Sequence, residues 1–259
     1  MTKSFGMTST LTRAALLALL LFRIAPAQDT EIHIICSNGF RAAMEKLLHD
    51  GERASGRTAK VQYGASANLR KTIESGQPFD LAVLTPQIIE DLIKEGKIAA
   101  GTKVDLASSG VGLAVRAGTH KPDVATAASM KQTLLNAKSI GYVGVGAGTP
   151  AILDMLDHLG LRDAVQSKTV LQQGAAESMK NLADGKLDVD FALISEILPA
   201  SGVELAGPLP PEFQRRIILS AGIASAATSR EAAGKFVKAL TNPAAAPTVK
   251  SVGLDPIAK

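Results

Sequence analysis

The feature that most constrains the fold is the recurrence of one local design. A short apolar, β-branched run stops at small polar or glycine residues, and helical spacing starts at once. Residues 31–37 (EIHIICS) form such a run and Ser37-Asn38-Gly39 closes it. Phe40, Ala43, Met44, Leu47 and Leu48 then recur at helical intervals over 40–52. The second unit is a run at 59–63, the turn Gly64-Ala65-Ser66-Ala67-Asn68, and a helix at 69–75 ending at Gly76. The third is 80–84, stopped by Thr85-Pro86, with Pro86 placed for the first turn of a helix at 87–95. Further on, 139–145 runs into Gly146-Ala147-Gly148-Thr149-Pro150 and a helix at 151–159. A short run at 170–172 precedes Gly174-Ala175-Ala176, which opens a helix to Ala183. Strands at 110–116, 190–194 and 217–221, helices at 127–136 and 230–240, and a rigid proline connector at 208–211 complete the pattern. Strands alternating with helices predict mainly parallel sheet flanked by helices, an α/β architecture.

Composition agrees with helices packed on sheets: there is no Trp, aromatics make up 3% of residues, and Ala and Leu abound. The N-terminus has its own grammar. Lys3 and Arg13 precede the unbroken apolar run 14–22, and Ala25-Pro26-Ala27 forms an A-x-A cleavage site, so residues 1–27 are expected to be a secretory signal peptide. The apolar run falls well below the ~20 residues that a membrane-spanning helix needs. Removing the segment takes Lys3, Arg13 and Arg23 with it and leaves 25 basic against 24 acidic residues. A nearly neutral chain without clustered Lys and Arg has no basis for binding nucleic acid. Roughly 230 residues remain, enough for one large domain or two lobes. Cys36 is the single cysteine, so no internal disulfide forms, and its place in an apolar strand reads as a packed small hydrophobe.

The turns are where chemistry is expected. Each leaves unpaired backbone N–H groups at a helix start, where the helix dipole favours an anion. In open α/β sheets ligands bind beyond the carboxyl ends of the strands, which is where these turns lie. One such turn is ordinary in any α/β protein; four, drawn from both halves of a chain with no catalytic set, point to binding. Arg41 and Arg70 sit early in two of the helices and are candidates to reach the ligand, although exposed helix arginines need no such role.

Taken in order, the chain resembles the periplasmic molybdate-binding proteins of ABC transporters. The resemblance rests on the strand, turn and helix of 34–44, then Gly64-Ala65-Ser66-Ala67-Asn68-Leu69-Arg70-Lys71, then Gly76-Gln77-Pro78-Phe79-Asp80-Leu81-Ala82-Val83, then Leu92-Ile93-Lys94-Glu95-Gly96-Lys97-Ile98. It covers almost the whole chain after the signal. It implies the two-lobed type II periplasmic-binding-protein fold, in which hydroxyls and backbone N–H groups of both lobes hold an oxyanion. Ser66 matches the family's serine after the second strand. In the first turn the family's serine aligns with Gly39, so Ser37 or Asn38 would substitute. Ala147, Gly148 and Thr149 match the first turn of the second lobe, and Gly174 and Ala175 its later helix start. The family's tyrosine has no counterpart in Phe191-Ala192-Leu193-Ile194-Ser195-Glu196, a departure that bears on which anion is taken. Glu196 would repel an anion if it faced one, and is expected at the surface or in a contact between lobes.

The ligand-binding set expected is therefore Ser37, Asn38, Gly39, Ser66, Ala147, Gly148, Thr149, Gly174 and Ala175, with no catalytic residue, no metal and no cofactor. His33, His49, His120 and His158 are scattered, and Asp154 with His158 offers only two ligands at helical spacing. No G-x-S-x-G elbow is present, and Gly144-Val145-Gly146-Ala147-Gly148 lacks the third glycine of a dinucleotide loop. Residues 28–106 with 216–259 are expected to form lobe one and 107–215 lobe two, with crossovers near 107–116 and 209–217. The expected partners are a small anion and the membrane subunits of an ABC importer, the expected compartment the periplasm, and the expected state a monomer. A binding protein for a small organic acid clamped by Arg41 or Arg70, a ligand sensor, and an enzyme on the same fold are the alternatives.

Overall fold

The structure, a computed structural model, describes residues 1–2 and 31–257. The signal peptide expected over 1–27 lies outside the described residues apart from its first two. From Glu31 onward the chain runs β1 (Glu31–Ser37), α1 (Asn38–Ser55), β2 (Thr58–Gly64), α2 (Ser66–Glu74), β3 (Leu81–Leu84), α3 (Pro86–Lys94) and β4 (Val104–Ser109). It continues with β5 (Val111–Arg116), α4 (Ala127–Asn136), β6 (Ile140–Val143), α5 (Thr149–His158), α6 (Arg162–Gln166), β7 (Thr169–Gln172) and α7 (Ala175–Ala183). The rest is β8 (Val189–Leu193), α8 (Ile194–Ile197), β9 (Val203–Pro208), β10 (Ile217–Ile223), α9 (Arg230–Leu240), α10 (Ala246–Lys250) and β11 (Asp255–Pro256).

Two sheets result. One has the order β11-β4-β10-β3-β1-β2 and the other β7-β6-β8-β5-β9. Side chains alternate between faces along a strand, so a strand buried on both sides must be apolar throughout. β3 and residues 34–36 of β1 obey this. Ile32, Ile34, Cys36, Leu81 and Val83 join one core with α1 and α9, whereas Ile35, Ala82 and Leu84 join another with α2 and α3. The second sheet is layered in the same way: Val189, Phe191 and Leu193 of β8 face α5, and Ala192 faces α7. Each fully buried Leu, Ile or Phe contributes roughly 1.5–3 kcal/mol, so these layers hold the strand ends rigidly.

β1 pairs in parallel with β2 and β3, and β6 with β7 and β8. Between these parallel runs lie strands of the opposite sense: β10 is antiparallel to β3 and β4, and β5 to β8 and β9. They belong to the two places where the chain passes between sheets. It leaves the first sheet at Ser109 and enters the second at Val111, with Gly110 alone between. It returns through 209–216 into β10. Gln214 ties the two passages together, accepting from the Val111 N–H at 2.9 Å and donating to the Val111 carbonyl at 2.8 Å. A side chain at Gly110 would press on Gln214, its Cβ lying 3.2 Å from Nε2.

β4, β9, β11, α6, α8 and α10 are additions to the elements read from sequence. They are short, and β4 (VDLASS) and β9 (VELAGP) mix polar and small residues, so neither alternation nor helical spacing marks them. The strand expected to reach Ile194 stops at Leu193, where α8 takes over. Among the described residues no helix is long and apolar enough to cross a membrane.

Candidate functional site

The carboxyl ends of β1 and β2 in one sheet and of β6 and β8 in the other converge on a single cavity. Ser37, Asn38, Ala65 and Ser66 line it from one side, and Val143, the turn 146–149, Ala175, Leu193 and Glu196 from the other. It is small, about 30 Å3 counted as the space a water molecule's centre can reach. A single water needs ~10–15 Å3 on that measure, so the cavity suits a compact ligand of a few heavy atoms. Larger clefts open on both sides. One, about 570 Å3, shares Ser66, Gly146 and Ala147 with the cavity, and another, about 390 Å3, shares Asn38, Ala175 and Glu196.

Of the expected site residues, Ser37, Asn38, Ser66, Ala147, Gly148, Thr149 and Ala175 therefore line one space. Gly39 and Gly174 stand behind the wall. The Gly39 carbonyl accepts from the Ser195 hydroxyl at 2.8 Å, and a Cβ at Gly39 would lie 2.6 Å from Leu193 Cδ1, so close approach between the sheets explains this glycine. The Gly174 carbonyl accepts the first hydrogen bond of α7, from the Ser178 N–H at 3.0 Å.

The helix starts at this cavity share a property. None of the residues preceding α1, α2, α5 and α7, namely Ser37, Ala65, Gly148 and Gly174, caps its helix with a side chain. The first N–H groups of a helix have no intrahelical partner, and on α2 the bonds to the Ala65 carbonyl begin only at Asn68 and Leu69. α5 departs from the expectation of free amides: the Thr149 N–H donates to the Gly146 carbonyl and the Ala151 N–H to the Gly148 carbonyl, each at 3.1 Å, and Pro150 has no N–H. Ser66 sharpens the point. It is 4% exposed, and its hydroxyl is buried without any hydrogen-bond partner. A buried orphan hydroxyl costs about 1–3 kcal/mol unless something arrives to pair with it. Thr149 differs: its hydroxyl donates to the Val143 carbonyl at 2.6 Å and fixes the turn instead.

Neither arginine points freely into the cavity. Arg70 is held by Glu74, Asp91 and Glu95 at 2.7–3.0 Å and belongs to a network between α2 and α3. Arg41 pairs with Glu45 and lies 4.7 Å above the Tyr63 ring, at the edge of the cleft of about 390 Å3. Cys36 is fully buried, and burial pushes its thiol well above the usual range.

Sequence reasoning missed Glu196, which forms part of the cavity wall and not simply the surface or a contact between lobes. It is the third residue of α8, and its Oε2 accepts the Leu193 N–H at 3.1 Å. Burial pushes its carboxyl up to about 7; the Leu193 bond opposes that shift and the charge of Asp190 adds to it. A Glu three residues into a helix that follows a buried strand is a capping signal, and that spacing could have placed it. Asp190, on the α7 face of β8, is also pushed up to about 7 by burial, against a hydrogen bond from the Ser178 hydroxyl. Among the described residues no three His, Cys, Asp or Glu side chains gather as a metal site. The cavity offers hydroxyl and amide donors and one titratable acid, a set that can desolvate and bind a small anion.

Comparisons with known proteins bear on the fold and the family. An aconitate isomerase of Pseudomonas sp is 24% identical over 261 residues, covering 98% of this chain and 98% of the relative. The molybdate-binding protein ModA of Azotobacter vinelandii is 25% identical over 235 residues, covering 88% and 90%. The solved structure of the Azotobacter vinelandii periplasmic molybdate-binding protein superposes with a TM-score of 0.74 at 19% identity, covering 86% of this chain and 98% of that one. The likeness establishes the two-lobed periplasmic-binding-protein fold. The family model for bacterial extracellular solute-binding proteins matches residues 32–255, and the chain belongs to that family.

Proposed function

We propose that this protein captures a small anion in the cavity between its two sheets and delivers it to an ABC importer from outside the cytoplasm. The observation that carries this reading is the Ser66 hydroxyl, buried without a partner on the cavity wall at the start of an uncapped helix. Ser37, Asn38, Ala147, Gly148, Thr149 and Ala175 supply the remaining walls, with backbone N–H groups at the starts of α1, α2 and α7 replacing the water shell of the anion. The volume of about 30 Å3 favours a compact oxyanion of the molybdate class over a tricarboxylate. Residues 28–106 with 216–259 act as one lobe and 107–215 as the other, swinging about the passages tied by Gln214. The protein works as a monomer after a signal peptide directs it to the periplasm, and the closed lobes are what the membrane subunits recognise.

A thermal-shift series with molybdate, tungstate, sulfate, phosphate and short carboxylates tests this, because a ligand that binds only the folded state raises the melting point. A rise with one or more tetrahedral oxyanions supports the reading, and no rise with any of them counts against it.

A second reading has one specific observation in its favour. Glu196 is a single carboxyl poised near neutrality in an anion cavity, as a proton-shifting isomerase of unsaturated carboxylates requires, and one relative is named an aconitate isomerase. Incubating the purified protein with cis-aconitate and with trans-aconitate separates the readings: interconversion supports the isomerase, whereas stoichiometric binding without turnover supports transport.

A further inference from the structure

We propose that Glu196 holds the anion as a neutral carboxylic acid. When a fully ionised anion enters the cavity, Glu196 takes one proton from solution and donates it to the anion as a hydrogen bond. This rests on the anion-binding reading of the cavity and adds a coupling that the reading does not require.

The geometry makes the case. Glu196 shares its cavity with the orphan Ser66 hydroxyl and the uncapped starts of α1, α2 and α7, groups that can donate to a ligand. A fully ionised oxyanion or carboxylate has only acceptors to offer. An ionised Glu196 would set acceptor against acceptor and charge against like charge in a space of about 30 Å3. Protonation removes the charge and turns the one mismatched wall group into a donor. The carboxyl is anchored for this role: Oε2 accepts the Leu193 N–H at 3.1 Å, which leaves Oε1 as the oxygen to carry the proton.

Among the described residues no cation forms an ion pair with Glu196, and those on the elements packed against it are engaged elsewhere. From α1, Arg41 is paired with Glu45 and stacked on Tyr63. From α7, Lys180 is paired with Asp184. β8 contributes Asp190, an acid that opposes ionisation of Glu196. β5 and β9 bring Arg116 and Glu204, both at the strand ends far from the Val111–Leu193 pair, with Glu204 bound to Lys121. Burial has already raised the carboxyl to about 7 before an anion adds its own charge, and a like charge nearby raises it further.

The sign follows. Below about pH 7 Glu196 arrives protonated and binding takes up little; above it, each anion bound draws in about one proton and affinity falls about tenfold per pH unit. Isothermal titration calorimetry measures both, using molybdate, sulfate and trans-aconitate, all fully ionised above neutral pH, in paired buffers of different protonation enthalpy. The anion that binds should take up about one proton at about pH 8.5 and far less at about pH 6. Glu196→Gln, a permanent neutral donor, should bind with no uptake and a flat pH profile. Asp190→Asn should keep the uptake. Binding with no uptake at the higher pH would overturn the coupling and leave the anion site standing. Uptake that persists in Glu196→Gln, or vanishes in Asp190→Asn, would overturn the assignment to Glu196. If none of the three anions binds at any pH, this inference falls together with the reading beneath it.

Discussion

The starts of α2 and α4 show two ways of treating the same problem. Both helices leave N–H groups without intrahelical partners. At α4 the chain provides for itself: Thr126 accepts from the Ser129 N–H at 3.1 Å, and the Ser129 hydroxyl accepts from the Thr126 N–H at 3.1 Å, a closed capping box at an exposed site. At α2 the residue in the capping position is Ala65, which has nothing to offer. The hydroxyl of Ser66, the first residue of the helix, is buried without a partner. A polar group that could be satisfied locally and is not, in a place from which water is largely excluded, is best explained by something that arrives later. Asp190 adds a third case. Its Oδ1 is also an orphan, but it lies beneath α7, outside the cavity wall, at 0% exposure. The cavity orphan should therefore answer to anion, and the sealed one to pH.

The largest expected effect belongs to the sealed orphan. The folded state holds the Asp190 proton up to about 7, whereas the unfolded chain releases it near 3.9. Its contribution to stability is full below about pH 4 and is lost as pH rises toward about 7, roughly 3–5 kcal/mol in all. Asp190→Asn should gain on the wild type by about that amount between those limits in urea denaturation. Stability curves that stay parallel would remove Asp190 as a contrast to Ser66. Next comes Ser66→Ala, which should weaken anion binding by about 1–3 kcal/mol while leaving the stability of the unliganded protein unchanged or slightly higher. A variant that loses stability without losing affinity would mean that the hydroxyl serves the fold. Smallest is Thr126→Ala: opening the α4 capping box should cost about 1 kcal/mol of stability and leave anion affinity untouched, by the same denaturation and calorimetry.

Much of this contrast could be read before any coordinates. The apolar runs of β1 and β3 and the turns at 37–39, 64–66 and 146–149 announced strand ends carrying small residues, and these local signals survive folding because both faces of those strands are buried. Ser66 follows β2, which has no fully buried residue, and was visible instead from the small-residue turn and its match to the family's serine. Glu196 was legible only as a helix cap; that the cap also lines the cavity depends on α1 and α7 packing around it, and glutamate is ordinarily a surface residue. Nor could sequence show that Arg70 is fully engaged by three acids on α2 and around α3, since two of them lie more than twenty residues away. The antiparallel placing of β5 and β10 depends on the passages between sheets, where Gln214 meets Gly110 and Val111 across a hundred residues of chain.

The most direct test is anomalous diffraction from crystals of the purified protein grown with tungstate. A single strong peak between the two sheets, within hydrogen-bonding reach of the Ser66 hydroxyl and the starts of α1, α2 and α7, is the expected result. A peak on the outer surface, with the cavity unchanged while tungstate still raises the melting point, would contradict the account.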